Sequence, residues 1–502
     1  MPGDTDLPLL SLLMLTLPVG ALLIWLVPDP RKARVVALGT LMLDLVFSLV
    51  VSSRFDPALA GFQLVEEASW IPSLNVHYRV GVDGISVLFL PLTILLVLGV
   101  VVASWNTVRS LPRLYYSLLL LLESVTLGVF CSLDTVLFFL FWELTLIPLY
   151  FLISLWGIGP DRRYAAVKYT LFMLVGGVPL LFAFLLLAFN HADFSGGALP
   201  GALMFDYTEL LATPVPHHVE VVIFLLLLAG FAVKTPVFPL HTWLPVVAME
   251  GPVAVAALMT GLKLGAYGLI RFAVPLAPAA AQEMHWLLAA LGVIGVVYGA
   301  LAAIAQTNLR RMLAYASISH VGLVLLGIAS FNLQGVQGAL FQLLNFTVVA
   351  GGLFLLTGFL HQRMGTTELI HLGGVGRSMP LLAAFFFVFA LASLGVPGTA
   401  GFPAEFLILM GTLKSHTGAG LAALFGMVLG AAYVLDSYRS TFYGPVSNDV
   451  VAGAVDLRRR ELWIAVAFTA LILMVGLYPS VVIDTTREAS TQWVERLRPV
   501  AP

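Results

Sequence analysis

The chain has 502 residues, of which 60% are hydrophobic and only 10% are charged, and its mean hydropathy is +0.99. Soluble domains carry about 25% charged residues, so water is not the main solvent of this chain. The net charge of −2 gives no reason to expect a polyanionic partner such as nucleic acid. The single cysteine, Cys131, excludes an internal disulfide and a thiolate metal cluster.

Apolar runs of about 18 to 30 residues follow one another almost end to end, and about 20 residues suffice for an α-helix to cross the hydrocarbon core. The runs lack the alternation of barrel strands. The sequence therefore predicts an all-α, polytopic membrane helix bundle, 1–502, in a single domain, and its first run is expected to be a retained helix because Asp4 and Asp6 precede it in place of a basic region. The predicted spans, about fourteen in number and numbered here in chain order, are 8–28, 34–52, 84–105, 115–133, 135–157, 165–189, 219–249, 252–277, 285–306, 312–330, 334–360, 379–413, 419–443 and 461–482.

The distribution of Lys and Arg predicts the orientation of the bundle. If the N-terminus lies outside, sixteen basic residues fall on the cytoplasmic side and seven on the other, with two inside the membrane. This asymmetry follows the positive-inside rule. The loop 190–218 has no Lys or Arg. We therefore expect both termini and this loop on the non-cytoplasmic side.

Two spans are too long for one straight crossing and are interrupted by Gly and Pro. Span 7, 219–249, would be about 46 Å long and span 12, 379–413, about 52 Å, against a hydrocarbon core of about 30 Å. Discontinuous helices at corresponding positions of two halves are typical of inverted-repeat transporters. Since the two spans lie five apart, the sequence predicts a core, 115–443, made of inverted repeats over about 115–277 and 285–443.

Two lysines lie inside apolar runs, where an ionisable group indicates function by default. Lys263 lies eleven residues after Pro252 and twelve before Pro275, which is about 16 to 18 Å from either end and too deep for its stem to reach water. We favour proton carriage, because an ammonium removed from water releases its proton more readily. The alternative is a structural ion pair. Lys234 precedes the predicted break of span 7; it is either a proton carrier at a discontinuity or a lysine that reaches the interface.

Three further groups complete the predicted proton-translocation set. Glu143, in span 5, needs a cation, and Lys234 is the expected partner, either in a pair that switches or in a fixed ion pair. Glu405 follows the break of span 12; the alternative is a carboxylate near water at a helix end. His320 lies centrally in span 10 and is expected to relay protons between Lys263 and Glu405, unless it is a hydrogen-bonded packing residue.

Accessory positions are less constrained by the sequence. His241 follows Pro239 and extends the expected path, whereas Glu123 and Asp44 lie mid-span without an assigned partner. No paired spacing supports haem ligation by the histidines, and the glycines 373–376 do not follow a strand as a dinucleotide loop would. We expect no bound cofactor and no metal in this chain.

The residues above lie in a set of distinctive stretches. These are Trp70-Ile71-Pro72 with Gly81-Val82-Asp83-Gly84-Ile85-Ser86, Leu140-Phe141-Trp142-Glu143, Ala232-Val233-Lys234-Thr235-Pro236 with Pro239-Leu240-His241-Thr242-Trp243-Leu244-Pro245, Leu262-Lys263-Leu264-Gly265-Ala266-Tyr267-Gly268, Ala314-Tyr315-Ala316-Ser317-Ile318-Ser319-His320, and Gly395-Val396-Pro397-Gly398 to Phe402-Pro403-Ala404-Glu405-Phe406. Together, over roughly 70–440, they resemble the antiporter-like membrane subunits of respiratory complex I, the proton-pumping NADH:quinone oxidoreductase. Glu405 stands where two sister chains of that family have Lys, which favours the M type.

The resemblance implies a fourteen-helix fold that moves protons in response to quinone reduction elsewhere in the complex. It implies an enzyme subunit without redox chemistry or cofactor of its own, packed beside sister antiporter-like chains and lipid in the inner (plasma) membrane. The sequence departs from the family pattern at Val246-Val247, at Gly251-Pro252-Val253 and at Asn345-Phe346, where His-Gly is usual. Asn345 has no titratable proton and is expected to act as a hydrogen-bonding spacer.

Two other assignments remain open from the sequence, because the same motifs recur in related assemblies. One is a subunit of a multi-chain cation/proton antiporter driven by ion gradients. The other is a subunit of a membrane hydrogenase or of a carbon-uptake variant of the complex. In either case, a relay of Lys and His fits H⁺ better than Na⁺, which prefers oxygen ligands.

Overall fold

The computed structural model describes residues 7–497, so the expectation about the chain ends falls in part on 1–6 and 498–502, outside that range. Within it, all fourteen predicted spans are helical. Twelve contain helices long and apolar enough to cross a membrane, and the other two, spans 3 and 12, contain the shorter apolar helices Phe89–Ala103 and Pro380–Ser393. The helices of spans 1 to 14 are, in order, Leu9–Leu26; Ala33–Arg54; Phe89–Ala103; Pro112–Cys131; Thr135–Leu144 and Leu146–Trp156; Arg162–Ser195; His217–Lys234 and Trp243–Glu250; Val253–Gly261, Leu264–Gly268, the π-helix Leu269–Ala273 and Val274–Leu276; His285–Ile304; Leu309–Ala329; Leu333–Asn345, the π-helix Phe346–Ala350 and Gly351–Met364; Pro380–Ser393 and Gly401–Ser415; Thr417–Phe442; and Arg459–Leu477.

The connection before span 3 adds a small sheet to the predicted helix bundle. Strands Gln63–Ile71 and Val76–Val82 form a two-stranded antiparallel sheet, joined through a short turn in which Asn75 has a left-handed φ of 55°. Arg79 on the second strand forms ion pairs with Glu67 (3.4 Å) and with Asp206 of the loop between spans 6 and 7. The hairpin therefore links the connection before span 3 to the loop between spans 6 and 7.

A helix follows the last span, where the sequence predicted only the end of a membrane crossing. Ser480–Arg496 packs against the end of span 8: the Trp493 indole donates to the carbonyl of Ile270 (2.9 Å) and Arg496 Nε to that of Pro275 (2.8 Å). Short helices outside the spans are Tyr207–Ala212, Pro278–Glu283, Val375–Ser378 and Asp449–Ala452.

The connections between spans gather on two faces, as alternating crossings require. On the face that holds the turns after spans 1, 3, 5 and 7, Gly159 N–H donates to the carbonyl of Glu250 (3.1 Å). Asn308 donates to Glu368 (2.8 Å) on the same face. On the opposite face, Asp134 and Asp206 form a β-bridge. We call these the inner and the outer face.

Spans 8, 10 and 11 form the centre of the bundle. Of their most apolar stretches, 89%, 89% and 94% of the residues are buried, against 28% for span 2 and 22% for span 14. Lys263, His320 and Asn345 lie on these central spans, so their polar groups can be satisfied only by protein or by internal water.

Candidate functional site

Both predicted breaks are present, and each lies beside an ionisable side chain. Span 7 unwinds over 235–242, immediately after Lys234, and span 12 unwinds over 394–400, just before the helix that carries Glu405. Trp243 Nε1 donates to the carbonyl of Val233 (2.9 Å), which caps the broken end of span 7. Unpaired backbone is tolerated at such breaks because it faces polar side chains or water inside the protein.

Lys234 is held by span 5. Its ammonium donates to Thr145 Oγ1 (2.7 Å) and to the carbonyl of Trp142 (3.1 Å), and lies 3.9 Å from the centre of the Trp142 indole. The carbonyl is available because span 5 is interrupted at Thr145, between helices Thr135–Leu144 and Leu146–Trp156. The sequence analysis treated span 5 as continuous and missed this interruption.

Glu143 lies next to this contact but points elsewhere. Within the described residues the Lys234 ammonium donates to Thr145 and Trp142 and not to the Glu143 carboxylate, so the expected direct ion pair is absent from this conformation. The carboxylate instead packs on span 6 at Gly177, where an added Cβ would lie 2.1 Å from Oε1. A glycine is therefore required for Glu143 to occupy this position.

Lys263 lies at a third break, which the sequence did not predict. The helix Val253–Gly261 ends before it and Leu264–Gly268 begins after it. The side chain is 4% exposed, and its ammonium has no hydrogen-bond partner among the described residues. The ammonium nitrogen lies 5.2 Å from the centre of the Phe346 ring in span 11.

His320 and Glu405 lie next to each other, at a separation longer than a hydrogen bond. The distance from His320 Nε2 to Glu405 Oε1 is 3.8 Å, and the Glu405 side chain is 4% exposed. Gly395 makes room for the carboxylate, because an added Cβ there would lie 2.5 Å from Glu405 Oε2. Gly395 also has a φ of +63°, which a residue with a side chain rarely adopts.

His241 lies in the unwound part of span 7 and contacts the central spans. Its Nε2 is 3.1 Å from the hydroxyl of Tyr298, and its ring also packs against Tyr315. These tyrosines were not predicted as site residues. They connect the break of span 7 to spans 9 and 10.

Glu123 lies apart from this row. Its side chain is fully buried, neither of its oxygens has a hydrogen-bond partner among the described residues, and the same is true of Asp44. The two carboxyl groups are close enough for their charges to interact. Both acids, for which the sequence suggested no partner, are buried in the bundle, on spans 2 and 4.

Three small cavities follow the row of ionisable groups. A cavity of about 40 Å³ is lined by Lys234, Thr145, Tyr169 and Leu262. One of about 20 Å³ is lined by His320, Asn345, Gln342 and Phe346. One of about 10 Å³ is lined by His320, Glu405 and Tyr433. About 10 to 15 Å³ is enough for one water molecule, so each has room for one or a few.

A larger cavity of about 110 Å³ lies at the inner face. Polar side chains in its wall are Ser104, Tyr115, His361 and Gln362, and the hydroxyls of Ser104 and Tyr115 are 2.8 Å apart. Pro252 and Val253, at the start of span 8, also line it. This cavity therefore borders the start of the span that carries Lys263.

The family model described as NADH:quinone oxidoreductase/Mrp antiporter, TM, matches residues 132–430, which include Glu143, Lys234, Lys263, His320 and Glu405. The chain belongs to this family. It is 37% identical to NADH-quinone oxidoreductase subunit M of Rhodobacter capsulatus over 90% of this chain and 89% of that protein. It is 39% identical to NAD(P)H-quinone oxidoreductase chain 4 1 of Synechococcus elongatus, over 97% of this chain and 92% of the relative.

Solved structures with the same fold come from more than one kind of assembly. A chain of respiratory complex I from Thermus thermophilus superposes with a TM-score of 0.88 at 32% identity, covering 98% of this chain and all of that one. A chain of the Mrp complex from Dietzia sp. gives 0.82 at 23% identity, over 97% of this chain and 51% of that chain. The second likeness supports the fold alone.

Proposed function

We propose that this chain is a proton-translocating membrane subunit of an NADH:quinone oxidoreductase and that protons cross its centre along Glu143, Lys234, Lys263, His320 and Glu405. The observation that carries the proposal is geometric. Lys263 and Glu405 are buried and the other three groups are half-buried. The five groups follow the three helix breaks and the cavities near them, and His320 lies 3.8 Å from Glu405. A structural role alone would not require a row of cavities beside them.

The geometry suggests how charge moves along the row. Lys234 rests on Thr145 and the Trp142 carbonyl. The charge of Glu143, which is adjacent in sequence to Trp142, favours the protonated lysine more strongly when the two groups approach and less strongly when they separate. The cavity beside Lys234 extends to Leu262, the residue before Lys263, and a proton released by Lys234 would move through it towards Lys263. His320 then accepts it and passes it to Glu405, over a distance that one water or a small rotation bridges.

The assignment to complex I is favoured over the two alternatives. The relatives at 37% and 39% identity are named as subunits of quinone oxidoreductases, and they match almost the whole chain. The solved complex I chain is more similar in sequence than the Mrp chain. As in such assemblies, the partners would be other membrane subunits, including sister antiporter-like chains, and the electrons would move elsewhere.

We further infer that 115–443 is the translocating core, with inverted repeats over about 115–277 and 285–443. The broken spans 7 and 12 lie five spans apart, which supports this division. The basic residues favour an inner face in the cytoplasm. Both termini and the loop 190–218 would then lie on the outer side of the plasma membrane, and the cavity with His361 would admit water from the cytoplasm.

The proposal can be tested by replacing one titratable side chain with a non-titratable side chain of nearly the same shape. In the intact complex, reconstituted into vesicles, Glu405→Gln should lower proton pumping severalfold while the complex assembles and oxidises NADH. Glu220→Gln is the matched control, because Glu220 is equally buried but lies at the outer end of span 7, where it accepts from Ala279 N–H (2.7 Å). Equal pumping by the two variants would contradict the proposal.

A further inference from the structure

Phe346 packs near both Lys263 and His320. The Lys263 ammonium is 5.2 Å from the centre of its ring, and the His320 ring centre is 6.2 Å away at an interplanar angle of 67°. Phe346 is buried, and its ring forms part of the wall of the His320 cavity. Lys263 lines neither that cavity nor the one around Lys234. The phenyl ring therefore separates the lysine from the water-sized space on the histidine side.

The backbone around Phe346 is irregular on both sides of this contact. Phe346 is the first residue of the π-helix Phe346–Ala350, which interrupts span 11. The neighbouring Thr347 hydroxyl donates to the carbonyl of Gly261 (3.2 Å), in the turn where span 8 unwinds before Lys263. Single-turn π-helices occur frequently at functional sites. The distortion of span 11 and the break of span 8 thus meet at the same place.

An aromatic ring here has two physical effects. Its face attracts a desolvated ammonium, which stabilises the charged lysine in the position observed. Its bulk excludes water, and hydrophobic constrictions of this kind close pathways by dewetting. Asn345, the preceding residue, has an Oδ1 atom without a hydrogen-bond partner among the described residues. This residue lines the His320 cavity beside the ring.

We propose that Phe346 is the gate of the proton pathway: it holds the Lys263 ammonium on its ring and blocks water between Lys263 and His320 until the ring moves aside. The inference rests on the proposed function and adds to it the point at which backflow is prevented. With the ring in place, protons on Lys263 and His320 are exchanged only when a conformational change displaces Phe346. Without it, water would join the two groups continuously.

The test uses the whole complex in proteoliposomes and two readouts. The first is passive proton permeability under an imposed pH difference without NADH, and the second is the proton-to-electron ratio during turnover. Phe346→Ala leaves space for several waters of about 30 Å³ each. It should raise the passive leak about tenfold or more and lower the ratio, while NADH oxidation continues.

Two further variants make the result specific. Phe354→Ala is the matched control. Phe354 lies on the same span, is 1% exposed and lines the same cavity, but its ring has no cation–π contact with Lys263. It should leave the leak unchanged. Phe346→Leu keeps most of the bulk without the aromatic face, so its leak should be intermediate and its pumping slower than in the wild type. If Phe346→Ala does not assemble, the leak and pumping rate of Phe346→Leu decide the question.

The outcomes separate the gate from the relay. The gate proposal is wrong if Phe346→Ala has the proton leak and the proton-to-electron ratio of the wild type. It is also wrong if Phe346→Leu has the leak and the pumping rate of the wild type. If Lys263→Leu and His320→Leu still abolish pumping in that case, the proposed function stands without it. If those two variants also pump normally, the proposed function itself fails.

Discussion

Gly395→Ala should lower proton pumping by moving one carboxylate. The Cβ that alanine adds would lie 2.5 Å from Glu405 Oε2, whereas ordinary carbon–oxygen contacts begin near about 3.4 Å. The carboxylate must therefore shift by about 1 Å. Displacements of that size change transfer rates by roughly 100-fold where reacting groups must be aligned. Because Glu405 and His320 are 3.8 Å apart, this shift falls on the final step of the relay.

Gly395→Ala also strains the backbone, and a control at a neighbouring glycine separates this strain from the displacement of Glu405. Gly395 has a φ of +63° and Gly398 a φ of +91°, so alanine strains the backbone at both positions, by about 1–3 kcal/mol. At Gly398, however, the only atom within 4 Å of an added Cβ among residues 7–497 is Leu477 Cδ2, at 4.0 Å. Gly398→Ala should thus lower thermal stability at least as much as Gly395→Ala while leaving Glu405 in place.

Both variants would be compared in purified complex reconstituted into vesicles, by thermal stability and by the proton-to-electron ratio. We expect similar or greater destabilisation in Gly398→Ala but a greater loss of pumping in Gly395→Ala. If pumping falls in proportion to stability in both variants, the close approach of Gly395 to Glu405 has no functional role and this reasoning is wrong.

Three other predictions follow from the site and the orientation. Glu143→Ala and Lys234→Ala should each strongly impair coupled pumping with the complex assembled, and a normal proton-to-electron ratio in both would exclude these residues from the pathway. A cysteine introduced as Gly201→Cys, in a chain whose single cysteine is removed by Cys131→Ser, should react with an impermeant reagent from the outer side, and labelling from the cytoplasm would reverse the orientation. Asn345→Leu should slow pumping only modestly, since Asn345 carries no transferable proton; complete loss would show that the hydrogen bond to Gln342 (3.3 Å) is essential.

The membrane topology was predictable because its determinants are local. The length of an apolar run sets a crossing, and clusters of Gly and Pro set the breaks of spans 7 and 12, so these features are visible in any sequence window. The strands Gln63–Ile71 and Val76–Val82 are shorter than a membrane span and partly exposed. Their alternation of apolar and polar residues is weak, so the sequence analysis did not predict them. The helix Ser480–Arg496 was missed because it is too polar to resemble a span.

The geometry of the site was only partly predictable. Depth in an apolar run identified Lys263, His320 and Glu405, but no sequence window shows that span 8 unwinds at Lys263 or that span 5 is interrupted at Thr145. The contact between Lys234 and the Trp142 carbonyl depends on packing between spans 92 residues apart, which no periodicity reports.

Phe346 illustrates the same limit. In the sequence it was merely a departure from the family pattern, next to Asn345. Its role depends on two distances, to the Lys263 ammonium and to the His320 ring, that exist only after spans 8, 10 and 11 pack together.

The central claim is that protons cross this chain through Lys263 and His320. The most direct measurement is the proton-to-electron ratio of the reconstituted complex carrying both Lys263→Leu and His320→Leu. These substitutions keep apolar bulk at both buried positions and remove the two titratable groups on either side of Phe346. We predict that the ratio falls by the share that this chain contributes, while NADH oxidation continues. An unchanged ratio in a fully assembled complex would contradict the account.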